Sequence, residues 1–315
     1  MKRLESYSHV RGFNYQPSYG SHGLETWGYG FDRDVIDREL GLGKKHFPKI
    51  NTIRLWLSHD AFIRYGDEVA ANFTEVVRLG DKYDLSFIVV LFNGWHSYPD
   101  FGGMSLEQLR WWTGERFEFF RRYLEKIVLP HAQDERVALW DLCNEPFNNA
   151  RSDGCIATVQ AWLEKLYQAC NDLGAEAPVC VGVGPAMERI RRVEPISDVI
   201  TFHPYYAWNA WIPTPERFTP LLDEVVAFGK EVKKPVVATE TGWGALDDAK
   251  RCEVLQVELG ELAKRGIGFT AHLLHHTLVS DGHRPEYGPI TGAGYMAFIE
   301  ADGSLRQGHG IFNDF

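Results

Sequence analysis

Short apolar runs that stop abruptly at polar or proline-containing stretches recur along the chain, and amphipathic segments fill the intervals between them. Val10 to Tyr15 (VRGFNY) reads as a first strand, followed by a Gly/Ser/Tyr-rich loop and a helix over Asp32 to Phe47 that ends before Pro48. Ile50 to Leu57 (INTIRLWL) reads as the second strand, and a helix over Glu68 to Tyr83 leads to a third at Leu85 to Leu91 (LSFIVVL). A long amphipathic helix from Ser105 to Val128, opened by the capping pattern Ser105-x-x-Gln108, leads into Val137 to Phe147 (VALWDLCNEPF). Its apolar residues suit a strand buried on both faces. Pro146 cannot donate to a ladder, so this strand should stop near Asn144 and Glu145.

Further on, a helix near Ala157 to Leu173 returns the chain to a fifth strand, Pro178 to Val183, and a short Arg-rich segment, Met187 to Arg192, precedes Asp198 to Phe202 (DVITF). Thr214 to Val232 begins Thr-Pro-Glu, as first helical turns often do. Lys234 to Trp243 (KPVVATETGW) carries a buried strand ending in Glu240, and Gly266 to Leu274 is the eighth strand. Strands alternating with helices through right-handed crossovers give a parallel sheet, and eight of them predict closure into a (β/α)8 TIM barrel. A chain of 315 residues with 44% hydrophobic content accommodates such a barrel, which takes roughly 250 residues. No repeat or linker divides it, so 1–315 reads as a single domain. Met296 to Arg306 (MAFIEADGSLR) departs from the rhythm as a small hairpin turning at Asp302-Gly303, which predicts a missing or reduced last helix.

α/β barrels place their sites at the carboxyl ends of their strands, where this pattern puts Asn144, Glu145 and Glu240. Two carboxyl groups facing one cavity are the minimum equipment for glycoside hydrolysis, one protonating the leaving oxygen and the other attacking the sugar or activating water. Arg54 is a charge inside an otherwise apolar strand, and an unpaired charge there is costly, so a carboxylate should lie beside it.

Asn144-Glu145-Pro146 after one strand and Glu240-Thr241-Gly242-Trp243 after a later one resemble the signatures of clan A glycoside hydrolases, closest to family 5. The resemblance runs from Arg54 to His272. It implies that the two glutamates close strands four and seven and that bonds are cleaved with retention, with Glu145 as general acid/base and Glu240 as nucleophile. It pairs Arg54 with Glu240 and gives Asn144 a hydrogen bond to the sugar 2-hydroxyl. Phe202-His203-Pro204-Tyr205-Tyr206 resembles the clan's strand-six motif, which assigns Tyr205 to the nucleophile and His203 to the sugar subsite. Asn93, Trp95 and His96, in LFNGWHS, would line the same mouth, and Trp95, Trp208, Trp211 and Trp243 offer flat rings to sugar faces. His272 stands where the family carries a tryptophan floor, leaving Trp243 as the candidate stacking ring. An ionised Glu240 and a Glu145 kept protonated by a less polar setting are the expected electrostatics. The implied substrates are β-linked glucosides, mannosides or short oligosaccharides, and no cofactor is required.

A formal charge of -10, with no long Lys/Arg run, argues against a nucleic-acid partner. The start, MKRLESYSHVRGF, has no apolar region after its basic residues, so neither a secretory signal nor a membrane span is expected, and the expected location is cytoplasmic. Five scattered cysteines without a CxxC fit reduced thiols. His272, His275 and His276 lie on one segment with no His-x-His on the first strand to join them, so no metal is assigned. Two alternatives share this scaffold: a carbohydrate-binding barrel without catalysis, and a transglycosidase. No apolar patch can be mapped without a fold, so the sequence assigns no oligomeric state.

Overall fold

The computed structural model describes residues 6–94, 109, 114–148, 150, 152–207, 214–290 and 294–315. Its strands are β1 (Arg11–Tyr15), β2 (Thr52–Trp56), β3 (Ser86–Asn93), β4 (Val137–Asn144), β5 (Val179–Cys180), β6 (Ile200–Phe202), β7 (Val236–Thr241) and β8 (Gly268–Ala271). All the pairings are parallel, and the order β5-β4-β3-β2-β1-β8-β7-β6 is that of a (β/α)8 barrel opened between β5 and β6. That seam is stitched rather than laddered: the Asp198 and His203 amides donate to the Val179 and Val183 carbonyls, at 2.7 and 2.9 Å, and Thr201 Oγ1 donates to the Val181 carbonyl at 2.9 Å.

The fifth strand is shorter than the apolar run predicted, for a physical reason. Beyond Cys180, the Gly182 amide donates to Asp141 Oδ1 (3.0 Å), and the Gly182 carbonyl accepts from the Glu145 amide (2.8 Å). The backbone at this point serves the site instead of a ladder.

Helices cover the outer face. Asp32 caps the helix Arg33–His46 through the amides of Asp34 and Val35, Ser58 caps His59–Tyr65, and Ser152 caps Asp153–Asp172. The helix expected from Ser105 is described only as the turn Glu115–Phe117 and the helix Glu118–Ile127; its capping pattern lies outside the described residues. The helix Asp248–Lys264, between β7 and β8, was not assigned a range from the sequence.

Leu, Phe and Trp side chains between sheet and helices form one large core. A smaller cluster of Tyr7, Val10, Ile88, Leu139, Cys180, Val199 and Val237 is separate from it and draws on β3, β4, β5 and β7 and on residues that precede β1 and β6. After β8 the chain makes only 3-10 turns among the described residues, at Pro285–Tyr287 and His309–Asp314. The expected hairpin is present as an antiparallel bridge between Ile299 and Leu305, with Gly303 at φ +82° in its turn. All five cysteines are free.

Candidate active site

A polar layer spans the barrel at the carboxyl ends of the strands, and Arg54 is its centre. This fully buried side chain sits on β2, between Asn14 of β1 and Ile88 of β3. Its Nη1 donates to Glu240 Oε2 and Asn14 Oδ1, both at 2.8 Å. Its Nη2 donates to Asp141 Oδ2 (2.8 Å) and Asn144 Oδ1 (2.9 Å). The guanidinium fork thus ties β1, β2, β4 and β7 together, which an ammonium could not do. The carboxylate that Arg54 requires is therefore two carboxylates: Glu240, and the unanticipated Asp141.

Glu240 closes β7 with little exposure. Tyr205 donates its hydroxyl to Glu240 Oε1 at 2.5 Å, so both oxygens of this carboxylate are engaged. Burial pushes its pKa up, but the neighbouring imidazoles of His203 and His272, the Arg54 guanidinium and the Tyr205 hydroxyl override that and hold it well below the usual carboxylate range. Burial and the neighbouring Glu240 charge drive the Tyr205 hydroxyl the other way, so it stays a donor.

Glu145 follows the end of β4 with φ +46°, a left-handed turn that swings its carboxylate over the barrel mouth. His203 Nδ1 lies 2.7 Å from Glu145 Oε1 and 3.8 Å from Glu240 Oε2, so a single imidazole nitrogen touches both carboxylates. The other oxygen, Oε2, accepts from Asn148 Nδ2, and Asn148 Oδ1 accepts in turn from Arg189 Nη1. The less polar setting expected for Glu145 is not what surrounds it. The fold turns its carboxylate toward an imidazole and an amide.

Asn144 donates through Nδ2 to Asn93 Oδ1 at 3.2 Å, which brings the ends of β3 and β4 together. Trp95 and His96, and the tryptophans Trp208 and Trp211, lie outside the described residues. Trp243 packs edge-on against Tyr205, with ring centroids 4.9 Å apart at 74°. His272 follows β8 directly and is buried beside Trp56, centroids 6.0 Å apart, with Nε2 3.4 Å from Asp281 Oδ2. His275 and His276 turn away from it: His275 Nδ1 contacts its neighbour's carbonyl, and the His276 ring packs on Tyr287. Among the described residues no group of three or more His, Cys, Asp or Glu side chains is arranged to hold a metal ion, and no helix is long and apolar enough to cross a membrane.

The strand order, the two strand-terminal glutamates and the arginine bound to Glu240 coincide with a match over most of the chain. Residues 21–276 match Cellulase (glycosyl hydrolase family 5). The chain belongs to glycosyl hydrolase family 5.

Within a wider circle, this family 5 chain is 23% identical over 236 residues to Mannan endo-1,4-beta-mannosidase A of Hypocrea jecorina; the match covers 64% of the chain and 50% of that protein. The chain therefore spans about half the length of this curated relative. Its fold is shared with the exo-beta-1,4-mannosidase Op5Man5 from Opitutaceae bacterium strain TAV5 (TM-score 0.73, 18% identity, 99% of this chain and 61% of that one). It is also shared with the endo-1,4-beta-D-mannanase of Thermotoga petrophila RKU-1 (TM-score 0.66, 16% identity, 97% and 98%). The beta-glucuronidase of Faecalibacterium prausnitzii has the same barrel at TM-score 0.67 and 17% identity, over 99% of this chain and 49% of that one.

Asp141, Asn14, Gly182 and Arg251 of this family 5 site escaped the reading of the sequence. Asp141 carried the same signal as Arg54, a charge inside an apolar strand, and each is the other's explanation. Asn14 is a buried amide on β1; its Nδ2 donates to the Thr239 and Thr270 carbonyls at 3.1 and 3.2 Å. Gly182 is required by space, since a Cβ there would stand 2.8 Å from both Asp141 Oδ2 and His203 Nε2. Arg251, buried on the helix Asp248–Lys264, donates to the carbonyls of Gly242, Trp243 and His272 and so fastens the ends of β7 and β8 to one another.

Proposed function

We propose that this chain is a retaining β-glycosidase acting on β-linked mannosides or glucosides, with Glu240 as nucleophile and Glu145 as general acid/base. In the first step Glu240 bonds to the anomeric carbon as the bond to the leaving oxygen breaks, and the Glu145 proton passes to that oxygen. In the second, water attacks the same carbon, gives its proton to Glu145, and releases Glu240.

The observation that carries this reading is the shared imidazole nitrogen. With His203 Nδ1 at 2.7 Å from one carboxylate and 3.8 Å from the other, the facing oxygens can be no farther apart than the two lengths together. A gap between these two oxygens of at most ~6.5 Å is compatible with the ~5.5 Å carboxyl spacing of retaining enzymes and supports that reading. The unequal roles follow from the partners. Arg54 and Tyr205 keep Glu240 ionised, as attack requires, whereas Glu145 sits nearer the rim beside a residue that can give or take a proton. Asn144 has its Oδ1 engaged by Arg54 and one Nδ2 hydrogen by Asn93, which leaves the second Nδ2 hydrogen for a sugar hydroxyl. Mannosides are favoured as substrates by the mannan-cleaving relative and by two of the barrels that share the fold, both named for cleaving β-1,4-mannosidic bonds.

Product stereochemistry tests the reading. An aryl β-mannoside and an aryl β-glucoside are incubated with the protein and the first-formed hemiacetal is followed by proton NMR. The β-anomer is expected; the α-anomer would indicate inversion, and no turnover of any aryl β-glycoside would move the chain to the sugar-binding class.

A further inference from the structure

The Arg-rich helix Met187–Val193, which follows β5, reaches the mouth of the barrel through one side chain. Arg189 donates to Asn148 Oδ1, and Asn148 donates through Nδ2 to Glu145 Oε2. Gly184 lies between these groups: a Cβ there would meet Arg189 Nη1 at 3.5 Å and Glu145 Oε1 at 3.9 Å. Asn148 itself is set by a turn, its amide donating to the Glu145 carbonyl at 3.2 Å.

We propose that Asn148 and Arg189 are positioning residues that fix the orientation of the Glu145 carboxyl and decide which of its two oxygens can carry the proton. This rests on the reading of Glu145 as the acid/base. A guanidinium has donors and no acceptor, so the Asn148 atom facing Arg189 must be the amide oxygen. The atom facing Glu145 is then the NH2 group. That orientation follows from the partner's chemistry and needs no choice between amide oxygen and nitrogen.

A second consequence concerns the proton. Oε2 meets a group that only donates, so a proton placed there would set donor against donor. Oε1 faces His203 Nδ1, which donates or accepts according to its tautomer. Proton gain and loss are therefore confined to Oε1. The other charged or titratable groups near Glu145 are Glu240 of β7, which meets the same imidazole; Tyr205, whose hydroxyl feels the Glu145 charge; Arg54 of β2, bound to Glu240; and Arg192, stacked on Phe147. None of these supplies an N–H to Oε2. Asn148 alone does so among the described residues, and Arg189 keeps it aimed.

Donors to a carboxylate favour its ionised form, so their loss raises its pKa. The test is a carbon-13 NMR titration of glutamate carboxyl groups in the full chain, with the Glu145 signal assigned by its disappearance in Glu145→Gln. The Glu145 midpoint should rise by about one pH unit in Asn148→Ala and in Arg189→Met. It should rise in the similarly sized, uncharged Asn148→Leu as well, and Arg189→Lys, which keeps charge and donor, should leave it near the parent value. A midpoint unchanged in Asn148→Leu and Arg189→Met would overturn the proposal. This readout needs no substrate, so it stands apart from the turnover of aryl β-glycosides by the parent, whose absence would instead sink the glycosidase reading.

Discussion

Arg54 and Asp141 form a fully buried ion pair across β2 and β4, Nη2 to Oδ2 at 2.8 Å, directly beneath the carboxylate of Glu240. One cation here answers two anions in a layer without solvent. Arg54→Met strips the counter-charge from both carboxylates at once and should destabilise the chain by about 3–5 kcal/mol in chemical denaturation. Adding Asp141→Leu removes one of the stranded charges, so the double variant should regain part of that loss. A double variant less stable than the single one would show that Asp141 is not held there by Arg54.

The Tyr205 hydroxyl works on Glu240 from the other side. If Glu240 is the nucleophile proposed above, it must be ionised to attack, and activity should fall as pH drops through its pKa. Tyr205→Phe removes a donor to the charged form, which raises that pKa and carries the acid limb of kcat/KM to higher pH. A hydrogen bond to a charged group is worth about 1.5–3 kcal/mol, so kcat should fall roughly 10- to 100-fold. A pH-rate profile measured beside the parent decides this; an unmoved acid limb would separate Tyr205 from the ionisation of Glu240.

Glu258, on the helix Asp248–Lys264, accepts the Tyr206 amide at 2.7 Å from a fully buried position. Burial raises its pKa from 4.5 to about 8 against the pull of that hydrogen bond and of Arg251. Between those two values the unfolded chain gives up a proton that the folded chain keeps, so this group lowers stability as pH rises through the window. Glu258→Gln cannot ionise. Its melting temperature should match the parent near pH 4 and exceed it near pH 8, by roughly 2 °C for each kcal/mol in a chain of this size. Equal melting temperatures across the range would place the Glu258 pKa near its ordinary value.

The strands were legible because each is an apolar run that ends in a polar residue, and those endings are also why Asn144, Glu145, His203, Tyr205 and Glu240 could be picked out. Arg54 was legible for the opposite reason, as a charge with no local partner. The rest depends on the barrel closing. Asp141 becomes a partner of Arg54 only when β4 and β2 flank β3. Gly182 is demanded only once Asp141 and His203 converge on it. Asn148 and Arg189 sit on separate connections, one after β4 and the other after β5, and nothing in their spacing announces that they meet. The setting of Glu145 was misjudged because its polar neighbours come from these connections and from β6, while its own strand is apolar.

The account turns on Glu240 as a nucleophile that becomes covalently bonded to the sugar. Intact-protein mass spectrometry after incubation with activated 2-fluoro glycosides of manno and gluco configuration, followed by peptide mapping, reads that bond directly. The account predicts a mass increase of one 2-fluoroglycosyl group, located on Glu240 and absent from Glu240→Gln. Label on another carboxylate, or turnover of an aryl β-glycoside while none of these reagents labels the protein, would contradict it.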